Sequence, residues 1–169
     1  MKNKAAFLDR DGTIVKDQIY KNDFNNIKCL KNVKKGLSKL IKLNFILIIV
    51  TNQSGIARKI VSKNKVNIFN QRLVEKLKED NITISKVYTC PHSVKDKCLC
   101  RKPRDKFALM AKKKFNLNLK ESIVIEGLNT VVHELKYEKF QYVEIKSNMI
   151  FCRPLVIKYY DSYFDIFHA

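Results

Sequence analysis

"AAFLDRDGT", residues 5–13, joins a short apolar run to two aspartates and a glycine. An apolar run that ends directly in acid predicts a buried strand, and Gly12 allows the chain to turn sharply after it. A carboxylate at such a strand end can attack phosphorus as a nucleophile, and a second carboxylate nearby can transfer protons. Because two close acids repel each other, a cation is their natural partner. The alternative is an aspartate-rich turn that only caps the strand.

Four further apolar runs have the length of strands, at residues 45–50, 84–89, 122–125 and 141–145. Three sets of apolar residues recur at helical spacing between them: Val33, Leu37, Leu40 and Ile41; Val66, Phe69, Leu73 and Leu77; Phe107, Met110, Ala111 and Phe115. Strands that alternate with helices predict an α/β fold in which a parallel sheet is covered on both sides. We therefore expect a single doubly wound, three-layer domain over residues 1–169.

Every distinctive motif follows one of these runs, at residues 9–13, 51–55, 90–102 and 126–127. Ligands of parallel sheets bind beyond the carboxyl ends of the strands, so we expect these segments to meet in one site. In "TNQSG", Thr51 can offer a hydroxyl to a phosphoryl oxygen, and Asn52, Gln53 and Ser54 offer further donors. Gly55 permits close approach of the backbone to an anion. Taken alone, the motif also suits an ordinary polar turn.

The loop "CPHSVKDKCLC", residues 90–100, contains three of the five cysteines and one of the three histidines. Its candidate ligands are Cys90, His92, Cys98 and Cys100, a set that suits tetrahedral Zn²⁺. All four positions of the metal are then filled, which leaves none for a catalytic water and predicts a structural zinc. The alternative is a reduced loop without metal. Cys29 and Cys152 have the character of ordinary small apolar residues.

The 169-residue chain carries a formal net charge of +18, which suits either a nucleic-acid partner or lysines spread over solvated surfaces. The lysines occur along the whole sequence and are not interleaved with stacking aromatics, which favours the second interpretation. No apolar run approaches the length of a membrane span, and the N-terminus lacks the apolar region of a signal peptide. We therefore expect a cytoplasmic protein.

Three motifs in this order, "FLDRDGTI", "TNQSGIAR" and "CPH" followed by "CLCRKP", resemble the haloacid-dehalogenase-like phosphohydrolases. Within them the similarity is to the small cap-less branch of heptose bisphosphate and histidinol-phosphate phosphatases, and it covers about residues 5 to 125. The resemblance implies hydrolysis of a sugar phosphate. "SGIAR" favours removal of the 7-phosphate of D-glycero-D-manno-heptose 1,7-bisphosphate, a step toward ADP-heptose and lipopolysaccharide core, and histidinol phosphate is the alternative substrate. The tail from about residue 147 diverges from the family.

The same resemblance implies the catalytic roles. Asp9 would be the nucleophile that forms an aspartyl-phosphate, and Asp11 would protonate the leaving alkoxide and then activate water. Mg²⁺ would be held by the Asp9 carboxylate and the Asp11 backbone carbonyl. Thr51 and Lys102 would stabilise the phosphoryl oxygens. The substrate-binding residues implied by the family are Asp17, Gln18, Ile19, Tyr20, Asn52, Gln53, Ser54 and Arg101.

The sequence departs from the family in "SIVIEGLNTV", residues 122–131. Gly127 and Val131 stand where the family has aspartates, the first of which completes the Mg²⁺ shell. The nearest acid is Glu126, one residue early, and successive residues of a strand face opposite sides of a sheet. Either Glu126 still reaches the metal, or the shell lacks a ligand and the chain is a catalytically decayed relative.

A polynucleotide 3′-phosphatase is the remaining alternative, because such enzymes share the aspartate and Thr-Asn-Gln motifs and the chain is strongly basic. As the resemblance goes, they lack the Cys/His loop, which therefore favours a small phosphorylated sugar over nucleic acid. We expect a monomer that uses Mg²⁺ and Zn²⁺ and has no membrane partner.

Overall fold

Five parallel strands form the central sheet of the protein. The computed structural model describes residues 2–17 and 26–127, together with the backbone of three later strands. The elements are β1 Lys4–Leu8, α1 Val33–Lys42, β2 Phe45–Asn52, α2 Lys63–Glu79, β3 Ile84–Cys90, α3 Lys106–Phe115, a 3₁₀ turn Leu119–Glu121, β4 Ile123–Gly127, β5 Gln141–Ile145, β6 Val156–Ile157 and β7 Ile166–Phe167.

The strand order in the sheet is β3-β2-β1-β4-β5, and all four pairings are parallel. This confirms the α/β class predicted from the alternating runs. Strands β2 and β3 extend past their apolar runs, so Thr51, Asn52 and Cys90 belong to strands instead of following them. The short strands β6 and β7 pair antiparallel in a separate two-stranded sheet.

The two faces of the sheet bury two different apolar clusters. Ala6 and Leu8 of β1 face a cluster that includes residues of α1 and α2, whereas Ala5 and Phe7 face a cluster with Ala111 of α3. Alternate residues of a strand point to opposite faces, so one apolar run supplies both clusters. The result is a helix layer on each side of the sheet, as the continuous apolar runs predicted.

The prediction that Met110 lies on the buried face of α3 is wrong. Met110 is 47% exposed, whereas Phe107, Ala108 and Phe115 pack against the cluster around Ala111. At about 100° per residue, positions 107, 108, 111 and 115 form one stripe and position 110 falls outside it. The spacing of apolar residues suited either Met110 or Ala108 on the buried face, and the structure has Ala108 there.

Asparagines with left-handed backbone follow α1, α2 and α3. Asn44, Asn81 and Asn116 have φ values of 61°, 60° and 50° after α1, α2 and α3. Asparagine tolerates this conformation better than most residues with a side chain and ends helices as glycine often does. These stops return the chain to the sheet after each helix. Across residues 2–17 and 26–127, no helix combines the length and apolar character needed to cross a membrane.

Candidate active site and metal centre

The parallel register of β1 and β4 brings Asp9 and Glu126 side by side. Leu8 is paired with Ile125, and the Asp9 amide donates to the Ile125 carbonyl at 2.9 Å. Asp9 continues the face of Phe7, and Glu126 continues the face of Val124, which packs against the same cluster. Both carboxylates therefore lie on one face at the carboxyl edge of the sheet.

Lys102, from the loop after β3, lies between these two carboxylates. Its Nζ is 2.8 Å from Asp9 Oδ1 and 2.7 Å from Glu126 Oε1. Glu126 thus points into the site, one residue before the position where the family has its aspartate. The carboxylate of Glu126 therefore faces the same lysine as the nucleophile, and its role as a metal ligand stays a prediction.

Asp9 and Lys102 are buried enough for desolvation to affect their ionisation. Asp9 is 9% exposed, and the neighbouring Glu126 is 3% exposed. Burial raises the pKa of the Asp9 carboxyl, the Lys102 ammonium opposes this effect, and the Glu126 carboxylate adds to it. Burial lowers the pKa of Lys102, but the Asp9 and Glu126 carboxylates outweigh it, and the pKa is raised. Lys102 is therefore held as a cation between two acids.

A second hydrogen-bond network fixes Asp11. Arg10 Nη2 and Gln53 Nε2 each donate to Asp11 Oδ2 at 2.7 Å, and Gln53 Nε2 also donates to Thr51 Oγ1 at 2.8 Å. Gln53, expected to contact substrate, thus links the second aspartate to Thr51. The sequence analysis did not identify Arg10. Its position between the two motif aspartates was the available signal, because a charged residue next to a buried strand needs a partner.

Asn52 holds the backbone of Lys102. Its Nδ2 donates to the Lys102 carbonyl at 3.2 Å, and its Oδ1 accepts from the Lys102 amide at 3.0 Å. Asn52 stays a predicted substrate-binding residue. In the structure its amide group also anchors the loop that delivers Lys102 to the two carboxylates.

The Cys/His loop gathers four donor atoms. Cys90, His92, Cys98 and Cys100 offer ligand atoms that all lie within 4.8 Å of one another. The sulfurs of Cys100 and Cys90 are 3.4 Å apart, those of Cys90 and Cys98 are 3.6 Å apart, and Cys100 Sγ is 3.3 Å from His92 Nδ1. Thiolates at about 2.3 Å from a tetrahedral zinc are about 3.8 Å apart, so the set fits such an ion.

The thiols of this cluster differ in their acidity. Burial raises the pKa of Cys90 to about 12, and the neighbouring thiols add to this effect. At Cys98, desolvation raises the pKa, but hydrogen bonds from the backbone amides of Cys100 and Arg101 outweigh it and lower the pKa. A thiolate at buried Cys90 needs a positive partner, which is what a metal ion provides.

The remaining predicted contacts are distributed around this edge. Arg101 Nη1 donates to the His92 carbonyl at 3.3 Å, so the side chain that follows Cys100 is bonded to the start of the Cys/His loop. The Gln53 amide donates to the Cys90 carbonyl at 2.8 Å, so the segment that contains Ser54 runs beside the cluster. Asp17 is exposed. Gln18, Ile19 and Tyr20 lie outside the described residues.

Comparison with known proteins identifies one phosphatase family model and several similar proteins. The family model for polynucleotide kinase 3 phosphatase matches residues 4–149. The D-glycero-beta-D-manno-heptose-1,7-bisphosphate 7-phosphatase of Haemophilus influenzae is 36% identical over 129 residues, which cover 73% of this chain and 70% of that protein. The histidine biosynthesis bifunctional protein HisB of Buchnera aphidicola is 30% identical over 165 residues, which cover 94% of this chain and 46% of HisB.

Solved structures share the fold. A putative HAD-like phosphatase from Mesorhizobium loti has 28% sequence identity and a TM-score of 0.66, with coverage of 73% of this chain and 63% of that chain. The D,D-heptose 1.7-bisphosphate phosphatase from B. bronchiseptica, complexed with magnesium and phosphate, has the same TM-score and coverages of 73% and 70% at 22% identity.

The fold, the acids at the ends of β1 and β4, and these matches define a haloacid-dehalogenase-like phosphatase. Within that class the chain belongs to the polynucleotide kinase 3 phosphatase family, whose model spans most of its length. The resemblance recognised from the three motifs is confirmed.

Proposed function

We propose that this chain is a Mg²⁺-dependent phosphomonoesterase that removes the 7-phosphate of D-glycero-D-manno-heptose 1,7-bisphosphate. One observation carries the proposal: Asp9 lies at the end of β1 beside Lys102 and Glu126, with Asp11 held by a separate network. A buried nucleophile, a fixed cation and a separately anchored acid are the parts that phosphoryl transfer requires. The heptose substrate is suggested by the names of several curated relatives.

The reaction divides into two steps. The Asp9 carboxylate attacks phosphorus, the ester P–O bond breaks, and its electron pair leaves on the sugar oxygen, which takes the proton of Asp11. The aspartyl-phosphate is then hydrolysed by a water whose proton returns to Asp11, which releases phosphate and restores Asp9. Lys102 and Thr51 stabilise the charge on the phosphoryl oxygens during both steps.

The acids of the site suit a divalent cation. Asp9, the Asp11 carbonyl and Glu126 would hold Mg²⁺ through oxygen ligands, as that ion prefers. When bound, Mg²⁺ supplies positive charge that lowers the cost of bringing a phosphate dianion to a carboxylate. Glu126 takes the place of the aspartate that the family has one residue later. Lys102 Nζ contacts one oxygen of each carboxylate, Asp9 Oδ1 and Glu126 Oε1, so the ammonium and the ion would share the same two acids.

The Cys/His cluster has a structural role in this proposal. Cys90, His92, Cys98 and Cys100 would hold Zn²⁺ with no open position, so the ion stabilises the loop and takes no part in the reaction. The loop continues directly into Lys102, which must lie between the two carboxylates. The cluster thereby positions a catalytic lysine.

A substrate comparison tests the proposal. Purified protein is assayed for phosphate release from heptose 1,7-bisphosphate, histidinol phosphate and a 3′-phosphorylated oligonucleotide, with and without Mg²⁺ and against Asp9→Asn. We expect the heptose substrate to give the highest kcat/KM and Mg²⁺ to be required. Turnover no greater than that of the Asp9→Asn variant on every substrate would refute the enzyme assignment.

Histidinol phosphate is the second candidate substrate, favoured by the match to HisB over 94% of this chain. A higher kcat/KM for histidinol phosphate than for the heptose in the same assay would change the proposed substrate to histidinol phosphate. The proposed mechanism would stay the same. A preference for the oligonucleotide would agree with the name of the family model and with the +18 charge, and would overturn the choice of a sugar.

A further inference from the structure

Asn70 is a buried amide on the otherwise apolar inner face of α2. Its neighbours on that face are Val66, Phe69, Leu73 and Leu77, and Asn70 is 7% exposed. A buried amide is costly unless its oxygen and its nitrogen both find partners. Here Oδ1 accepts from Arg10 Nη1 at 2.8 Å, and Nδ2 donates to Thr89 Oγ1 at 3.1 Å. The fold therefore places this polar group in the core and pairs it on both sides.

The partner of Asn70 is the arginine between the two motif aspartates. Arg10 is 2% exposed, and its Cζ lies 4.6 Å from the centroid of the Phe69 ring. Its Nε is 3.1 Å from both Asp11 carboxylate oxygens, and its Nη2 donates to Asp11 Oδ2 at 2.7 Å. The guanidinium is thus bound on one edge by Asp11, on another by Asn70, and on its face by Phe69.

We propose that Asn70 and Arg10 are positioning residues for Asp11, through which α2 sets the orientation of the general acid. The inference rests on the proposed role of Asp11. Oδ2 accepts the two shortest bonds, from Arg10 and Gln53, and is the anchored oxygen. Oδ1 accepts a longer bond, from Arg10 Nε at 3.1 Å, and would be the oxygen that delivers the proton to the leaving sugar oxygen as the P–O bond breaks. Without Asn70 the guanidinium loses its restraint at Nη1, and the plane of the Asp11 carboxylate is fixed less firmly.

A comparison of two leaving groups separates positioning from a general structural effect. A sugar alkoxide leaves poorly without a proton, whereas the nitrophenolate of p-nitrophenyl phosphate leaves without one. Because Asp11 also takes the proton of the water in the second step, which both substrates share, the comparison uses the pre-steady-state rate of leaving-group release. For Asn70→Leu we expect this rate to fall about tenfold to a hundredfold on the sugar phosphate, because misplaced general acids lose effects of this size. The pre-steady-state release of nitrophenolate should change less than about twofold.

Three further variants complete the test. Asn67→Leu makes the same change at an exposed position of the same helix and should leave both activities unchanged. Arg10→Lys keeps the buried positive charge but lacks the several N–H donors of the guanidinium. It should reproduce the substrate-selective loss even if Asn70→Leu does not fold. Asp11→Asn provides the reference for complete loss of the acid.

Each outcome has a distinct meaning. Equal losses on both substrates, or no loss on either, for a folded Asn70→Leu or Arg10→Lys protein would overturn the positioning role. An Asp11→Asn protein in which the pre-steady-state rate of leaving-group release falls equally on both substrates would refute the acid role in the proposed function. A wild-type protein that hydrolyses neither substrate would overturn the proposed function, and this inference with it.

Discussion

Two regions of this molecule bring together potential metal ligands, and they do so in opposite ways. In the Cys/His cluster, all four donor residues lie within residues 90–100, and their ligand atoms lie within 4.8 Å of one another. At the ends of β1 and β4, Asp9 and Glu126 come from distant parts of the chain, and the Lys102 ammonium bonds to both. The first region is a closed set of donors, whereas the second contains an internal cation that competes electrostatically with a metal for the same carboxylates.

The difference predicts different affinities and different functions. A four-ligand thiolate and imidazole set binds zinc tightly, and the binding energy contributes to folding. Carboxylates that already bond to a lysine bind Mg²⁺ less tightly, since the ammonium neutralises part of their charge and repels the ion, and Mg²⁺ gives up its water reluctantly. A permanent structural ion and an exchangeable catalytic ion are therefore expected in one small fold.

Lys102→Met should give the largest effect and should act in opposite directions on binding and turnover. The loss of one fixed charge beside the phosphoryl group should lower kcat by about 10²–10³-fold. Mg²⁺ affinity should rise at the same time, because the competing ammonium is gone. Steady-state kinetics and calorimetry measure the two effects, with Lys95→Met at an exposed loop position as the control. A fall in both quantities would contradict competition between Lys102 and the ion.

Cys100→Ser should give the next largest effect and should act on both regions. Zinc content should fall, and turnover should drop by roughly 10–100-fold as the loop that carries Lys102 loses its support. Metal analysis and phosphate release measure these changes, and Cys29→Ser, outside the cluster, is the control. Full activity in a zinc-free Cys100→Ser protein would show that the cluster does not position Lys102.

The two regions also differ in how far the sequence could predict them. The Cys/His donors are close in sequence, so their spacing alone indicated a metal site. The direction of Glu126 depended on the register of β1 against β4 and on β4 reaching Gly127, neither of which a motif contains. The pairing of Arg10 with Asn70 joins residues 60 positions apart and left no local pattern.

The fold was more predictable than the site for a related reason. Apolar runs fix strands because both faces of a parallel strand are buried, and this holds without knowledge of the partners. Side chains that contact each other across elements require the packing itself. Met110 illustrates this, since helical spacing allowed it a buried place that Ala108 takes.

Gly127→Asp should give the smallest effect. If Glu126 already supplies the carboxylate, the family's aspartate at position 127 should change Mg²⁺ affinity and kcat/KM by less than about threefold, because Mg²⁺ commonly uses only one or two carboxylates. Calorimetry and kinetics on the same preparation provide the measurement. A large gain of activity in Gly127→Asp would instead support the alternative in which this chain has lost part of its metal site.

The central claim is that Glu126 replaces the missing aspartate as a ligand of the catalytic cation. Mg²⁺ binding to the wild type and to Glu126→Gln, measured by calorimetry at equal zinc content, tests it most directly. Glu75→Gln, at an exposed position of α2, is the matched control. We predict that Glu126→Gln weakens Mg²⁺ binding at least about tenfold, as loss of a charged oxygen ligand should, while Glu75→Gln has no effect. Equal affinity of the wild type and Glu126→Gln for Mg²⁺ would contradict the claim.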